Sequence, residues 1–328
     1  MKLILNPENH SHVAIGIAVE LEDAILSDPS QKVQAVRSSE RISGKVFSAW
    51  SKMERILPQF ILKLISAVTA KLLVFGPHYF NVLMTPNWTR CFPYILFPGK
   101  KSVYIFDAWP SLHDDIIKVT RSHHFSHVFV SSSQVVERLE DMIERPVFSW
   151  VPEGIDSHKY KFLDYHEKDI EVLELGRKYE IYHNHIVEAL RVDGRMHLFE
   201  EKKGQLIFPT EQDLIDGLAR TKISICVPSN ITHPERAGDI ETMTVRYLQS
   251  MASKCLVVGH APQEMVELFG YNPVVEIDME KPAEQIRDIL ENFDDYIPLI
   301  EKNYTETLAN HTWNDRWQQI RAIMQSAD

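Results

Sequence analysis

Short apolar runs alternate with stretches of helical period along nearly the whole chain, and this rhythm restricts the fold more than any other feature. KLILN (2–6) predicts a strand, and HVAIGIAVELEDAIL (12–26) predicts a helix because its apolar residues recur at helical spacing. Residues 31–44 are polar and read as loop, and 45–71 read as basic helix interrupted at Pro58. Strands are expected at 71–76, 102–107, 127–132 and 147–152, with helices at 111–122 (Ser111 as its cap) and 133–143. The series restarts with a strand at 169–176 and a helix near 179–190, then HLFE, a turn at Gly204 and LIFP. Helix 211–220, strand 222–229, a helix opening at 242, strand 255–259, PQEMVELFG, VVEID and a helical tail from Pro282 complete it. Strands alternating with helices in this way build parallel sheets covered on both faces. The expectation is therefore α/β, with two doubly wound, Rossmann-like domains over 1–152 and 169–328. A linker over 153–168 joins them, and the long tail is free to cross back.

Composition narrows the function classes. With 328 residues and 44% hydrophobic content the chain can bury a sizeable core. Its net charge of -11 argues against a general nucleic-acid binder. The charge is uneven, since 32–71 holds eight Lys/Arg against Glu40 and Glu54, and a basic segment in an acidic chain points to a local anionic partner or a solvated helix face. Cys91, Cys226 and Cys255 are far apart and form no CxxC pair, which suits a reducing compartment and predicts a cytoplasmic protein. The N-terminus does not read as a signal peptide, and no apolar run is long enough to span a bilayer.

In open parallel sheets, ligands bind beyond the carboxyl ends of the strands. Three such ends stand out: Gly176-Arg177-Lys178, Pro228-Ser229-Asn230 and Gly259-His260. The loop NITHPERAGDIE brings Gly238, Asp239 and Glu241 to a helix start at 242, and a helix N-terminus with free N–H groups suits a phosphate. Together with Arg177 and Lys178, that start reads as a nucleotide-diphosphate site, with Gly176, Thr242 and Met243 in contact with the diphosphate. Taken alone, Gly-Arg-Lys is also an ordinary turn with solvated charges, and Thr242 and Thr244 are also ordinary helix-start residues. There is no GxGxxG after the first strand, no GxxxxGK[ST], no HExxH, no GxSxG and no DxD, so neither a nicotinamide or flavin site nor a metal-held sugar nucleotide is indicated.

These segments resemble the GT-B glycosyltransferases, in particular the GT4-like group with its "glycosyl transferases group 1" C-terminal domain. VPEGIDSHKY (151–160) is similar to the family's "PNGVD…F" segment, ELGRK (174–178) to its "GR…K" turn, and ANHTWNDRWQQI (309–320) to its "H-[TS]-[WY]…R" end. The match is strongest in ETMTVRYLQSMASKCLVVG (241–259). There the family's Glu, seven residues, Glu pattern reads Glu241, seven residues, Gln249. The first domain matches loosely, with IFDAWPSLHDD (105–115) where the family has its active-site loop.

The resemblance implies two Rossmann-like domains facing a cleft and a nucleotide-diphosphate sugar as donor, with no cofactor and no obligate metal. Transfer would proceed with retention to a glycan, glycolipid or lipid-linked acceptor in surface-polysaccharide or glycolipid assembly. Glu241 would lie beside the donor sugar, near Gly238 and Asp239, and Gln249 would face the ribose. A Gln there accepts through its carbonyl and also donates, without charge. Asp107, at the end of a first-domain strand, accepts the acceptor's proton, binds a sugar hydroxyl or caps the loop. Trp109 stacks on a sugar ring or packs in the loop, and His113 is placed on the acceptor side. The basic segment 45–71, with Trp50, Met53, Ile56 and Phe60 on one rough face, is expected to contact an anionic membrane peripherally. The alternatives are an inactive GT-B partner subunit and a sugar-nucleotide epimerase on the same fold.

Overall fold

The computed structural model describes residues 1–5, 16–37, 40–57, 61, 76–143, 147–176, 178–202 and 204–326. The chain divides into two compact units, Met1–Pro152 with Trp317–Asp328, and Glu153–Arg316. Segment 153–168 thus packs with the second unit, and 317–328 with the first.

The first unit holds β1 (Lys2–Leu5), β2 (Gln34–Arg37), β3 (Tyr79–Leu83), β4 (Lys101–Ile105), β5 (His127–Val130) and β6 (Phe148–Trp150). They form one parallel sheet in the order β2-β1-β3-β4-β5-β6. β3, β4 and β5 are buried along their whole length, as expected of strands covered on both faces. Phe80 of β3 stacks on Phe129 of β5 and meets Trp317 edge to face at 5.8 Å. Trp317 Nε1 and Arg321 both donate to Asp28 at 2.8 Å, so the C-terminal helix (Trp313–Ser326) contributes its second half to this core.

Several sequence expectations change here. The strand expected at 71–76 lies outside the described residues except for Gly76, and β3 at Tyr79–Leu83 was not anticipated. Residues 34–37 are an edge strand rather than loop. Helix His113–His123 follows a 3-10 turn, Pro110–Leu112, and its cap position is Leu112 without a side-chain bond, so Ser111 does not cap it. The basic helix runs Glu40–Ile56 and its continuation past 61 lies outside the described residues, as does Phe60. Trp50 and Met53 are half-buried, with Trp50 Nε1 bonded to Glu54, and the exposed apolar residues of this helix are Ile42, Phe47 and Ile56.

The second unit holds β7 (Ile170–Glu174), β8 (His197–Phe199), β9 (Thr221–Cys226), β10 (Leu256–Gly259) and β11 (Val275–Glu276). All are parallel, in the order β11-β10-β9-β7-β8. Alternate residues of the central strands face opposite layers. Val172, Ile223, Ile225, Leu256 and Val258 pack with Tyr182, Ile186 and Leu190 of helix Glu180–Val192. Cys226 and Val257 pack with Tyr247, Leu248 and Met251 of helix Val245–Ala252 and with Met265 and Phe269 of helix Gln263–Phe269. Each such large side chain contributes about 1.5–3 kcal/mol by leaving water. LIFP forms no strand; Phe208 instead occupies the space beside Gly217, where a Cβ would meet its ring at 2.1 Å.

Two anchors close this unit. Lys168 is buried, and its ammonium donates at 3.0 Å to the carbonyls of Ala219, Thr221 and Ser253, so all three N–H donors are used. The second anchor joins residues 153–155 to residues 311–316. Ile155 bridges Thr312, Arg316 donates to the Glu153 carbonyl and contacts His311 Nδ1 at 2.7 Å, and His311 stacks on Phe269. Gly154 is required there because a Cβ would lie 2.9 Å from the Thr312 carbonyl carbon.

Candidate functional site

The strand order of the second unit locates the site. The chain enters at β7, steps outward to β8, then returns to β9 and moves away through β10 and β11. The direction therefore reverses between β7 and β9, and in open α/β sheets that point leaves a crevice beyond the strand ends. Arg246 fills the position. Its guanidinium donates to the carbonyl of Leu175 beyond β7 at 2.8 Å and to that of Val227 beyond β9 at 3.5 Å. Gly176 lies alongside with φ +76, a left-handed conformation that glycine adopts without strain, and a Cβ there would sit 3.9 Å from Arg246 Nη1. Arg246 is half-buried, so it presents cationic edge to the crevice while two backbone carbonyls fix its plane. Arg177 lies outside the described residues. Lys178 places its ammonium 5.0 Å from the Phe199 ring centroid, at the end of the neighbouring β8.

Helix Val245–Ala252 begins three residues later than the sequence suggested. The backbone before it is already partnered by carboxylates. Glu264 Oε1 accepts from Met243 N–H and from Thr242 Oγ1, both at 2.8 Å, and Glu153 accepts from Val245 N–H. Met243 itself is buried, with its side chain in the core against Tyr247 and Met251. The loop before it forms two short turns, Ser229–Thr232 and Pro234–Ala237, and ends at Gly238 with φ +60. Gly238 and Asp239 are exposed.

Glu241 is half-buried and held on both carboxylate oxygens. Oε1 lies 2.6 Å from His260 Nε2, and Oε2 accepts from Gln263 N–H at 3.2 Å. His260 follows β10 and reaches Glu276 Oε2 with its other nitrogen at 3.1 Å. Glu276 also accepts from Ala261 N–H. The imidazole between two carboxylates fixes the carboxylate of Glu241 at the carboxyl end of β10. Below it, Tyr247 donates to the His260 carbonyl at 2.7 Å, with the Cys226 carbonyl at 3.2 Å, and burial pushes its phenol pKa well up. Gln249 donates its amide to the Tyr160 hydroxyl at 2.8 Å, which leaves its carbonyl as an acceptor.

In the first unit, Asp107 follows β4, and its N–H donates to the Met84 carbonyl beyond β3. Trp109 is half-buried. His113 is buried, contacts the Ala108 carbonyl through Nε2 at 3.1 Å, and has its pKa lowered chiefly by burial. Asp107 and Trp109 thus lie on the loop after β4, and His113 opens the helix that follows it.

The structure brings Glu241 together with His260, and Thr242 with Met243 and Glu264. Sequence reasoning missed Arg246 and the bridging role of His260. Arg246 is the fifth residue after Glu241 on a helix whose other face is core, so it reads as a solvated charge until the strand order is known. His260 was visible only as the residue after an apolar strand.

Residues 177–322 match a family model described as glycosyl transferase-like. A search of curated proteins returns no match. Among solved structures, the chain is similar to HepE from Anabaena in complex with UDP and glucose, with a TM-score of 0.59, 10% identity and 99% of each chain covered. It is also similar to a sucrose-phosphate synthase from Thermosynechococcus elongatus, with a TM-score of 0.59, 12% identity, and 99% of this chain and 98% of that one covered. A third is an alpha,alpha-trehalose-phosphate synthase (UDP-forming) from Burkholderia vietnamiensis, with a TM-score of 0.54, 12% identity and 99% of each chain covered. The chain has the GT-B fold, and its residues 177–322 are similar to the glycosyl transferase-like family.

Proposed function

We propose that this protein is a glycosyltransferase that moves a sugar from a UDP-sugar to a glycan, glycolipid or related acceptor. The observation that carries the reading is Arg246, held across the ends of β7 and β9 at the reversal of strand order beside Gly176. UDP as the leaving group is supported by the similar structures, since HepE was solved with UDP and one synthase is UDP-forming. The chemical demand in such a transfer is to stabilise charge that grows on the departing diphosphate. Arg246 supplies a fixed bidentate cation, Lys178 supplies further positive charge nearby, and Arg177, its neighbour in sequence, is expected to add to it. Glu241, oriented by His260, binds donor-sugar hydroxyls and bears on positive charge at the anomeric carbon. Gln249 offers its free carbonyl to the ribose.

The finer points belong to the same proposal. Transfer proceeds with retention and without a metal at the diphosphate, and Asp107, Trp109 and His113 serve the acceptor. The protein works in the cytoplasm, and the basic helix Glu40–Ile56 with exposed Ile42, Phe47 and Ile56 rests on an anionic membrane within reach of lipid-linked acceptors. Among the described residues no helix is long and apolar enough to cross one.

The test is thermal unfolding against UDP, GDP, ADP, CMP and dTDP, followed by turnover of UDP-sugars. Binding to the folded state must raise Tm by mass action. UDP alone stabilising the wild type, with the shift lost in Arg246→Ala and turnover lost in Glu241→Ala, supports the reading. UDP binding with no transfer or hydrolysis of any UDP-sugar makes the chain a binding partner, and no shift with any nucleotide overturns the donor site.

A further inference from the structure

Three residues that sugar transfer leaves unused meet inside the second unit. Glu174 closes β7, His183 lies on helix Glu180–Val192, and His197 opens β8. Glu174 Oε1 lies 2.6 Å from His183 Nδ1 and 2.8 Å from His197 Nε2, and the three ligand-type atoms are all within 4.8 Å of one another. The carboxylate side chain is 1% exposed and the two imidazoles 7% and 5%. Phe199 walls the cluster, with its ring centroid 4.6 Å from that of His183 and 4.8 Å from that of His197.

The hydrogen bonds within the cluster leave it incomplete. Glu174 Oε2 and His197 Nδ1 are buried and have no hydrogen-bond partner among the described residues. A buried carboxylate oxygen without a partner is costly, and a buried carboxylate needs its charge met. A divalent ion would supply both the charge and a bond to the second oxygen.

We propose that Glu174, His183 and His197 form a binding site for a divalent transition-metal ion of the zinc class. The ligand atoms are the Glu174 carboxylate, His183 Nδ1 and His197 Nε2, and water completes the shell. Two imidazoles and one carboxylate suit zinc and its neighbours, whereas magnesium and calcium take shells of oxygen. Metal–ligand bonds of about 2.0–2.2 Å place tetrahedral ligands roughly 3.3 Å apart, so the cluster opens by about half an ångström on binding. Each imidazole presents a lone pair to the metal, and a neutral ring keeps its proton on the other nitrogen. The role is structural. The ion ties β7, the following helix and β8 together two residues before Gly176, and so braces the turn that leads to Lys178.

The experiment uses the full chain, stripped with EDTA and dialysed against zinc chloride, with metal content, Tm and the visible spectrum of the cobalt(II) form as readouts. The expected result is about one zinc per chain, a Tm rise of several degrees that EDTA reverses and magnesium does not reproduce, and cobalt bands of four-coordinate intensity. His197→Gln and His183→Asn keep an N–H aimed at Glu174, so they preserve the fold while removing a ligand. Zinc in these variants should fall below about one fifth of an equivalent, and the exposed-site control His185→Ala should match wild type. Wild type holding less than that, or the ligand variants holding as much as wild type, overturns the site. UDP binding measured on the same samples keeps this outcome separate from that of the transfer reading.

Discussion

Glu264→Ala should loosen the loop that carries Glu241 without removing any group that faces the crevice. Glu264 is 5% exposed and accepts two bonds on one oxygen, from Met243 N–H and Thr242 Oγ1. The threonine hydroxyl is half-buried and can turn to water, so its loss costs little. The Met243 N–H is buried and would be left without an acceptor, at about 1–3 kcal/mol, and the lost bond is charge-assisted. The carboxylate also stands in the first turn of helix Gln263–Phe269, worth about 0.3–1 kcal/mol. The sum is roughly 1–4 kcal/mol, or a fall in Tm of about 2–16 °C at about 2–4 °C per kcal/mol for a unit of this size. Glu264→Gln keeps an acceptor and should cost about 1 kcal/mol. Urea unfolding of both variants, with hydrogen exchange at the Met243 amide, is the assay. A loss below about 0.5 kcal/mol in Glu264→Ala, or equal losses in the two variants, would refute the reasoning.

Other expectations follow from packing and charge. Gly259→Ala should unfold the second unit or leave it insoluble, because a Cβ would lie 1.7 Å from the Cys226 carbonyl oxygen across the β9–β10 pair; expression yield and circular dichroism read this out. Trp317→Ala removes a side chain 1% exposed against Phe80 and should cost about 3–5 kcal/mol in the first unit, seen by calorimetry as a lowered transition for that unit. Stability should fall as the medium is acidified from pH 6.5. Burial holds His78 and His123 down to about 4 and His311 to about 3, so the folded state keeps them neutral while the unfolded chain takes up protons. Their contribution is complete above pH 6.5 and is lost toward pH 4 and 3, at about 1.4 kcal/mol per pH unit for each proton of difference. The urea midpoint measured from pH 7 to 5 should show this slope, and His311→Gln should flatten it.

The doubly wound character of both units was legible because central strands such as SVYIF and CLVVG are continuous apolar runs, which is how strands buried on both faces read. Edge strands do not read that way. β2 is QAVR, exposed along most of its length, so nothing apolar marks it. LIFP failed in the opposite sense: its apolar residues serve a loop whose Phe208 fills a gap beside Gly217, and Pro209 has no N–H for a ladder. Glu241 was singled out in the sequence by its spacing to Gln249. Its tether to His260 and Glu276, across three separate strand-end segments, was not, because tertiary pairing leaves no periodic trace in sequence. Arg246 needed the strand order for the same reason.

The helix Trp313–Ser326 has a further consequence for how the protein is made. The first sheet is synthesised early, yet Trp317 and Arg321, which cover Phe80 and neutralise Asp28, are separated from Asp28 by 289 and 293 residues. Contacts of such long range form slowly even in a free chain. On a ribosome they cannot form at all until residues 317–321 have been made and have left the exit tunnel. The second unit has its closing residues, His311 to Arg316, a few codons sooner. The part translated first is therefore the part finished last. A chain stalled or cut before residue 317 leaves an aromatic face of the first sheet uncovered and open to chaperones and proteases.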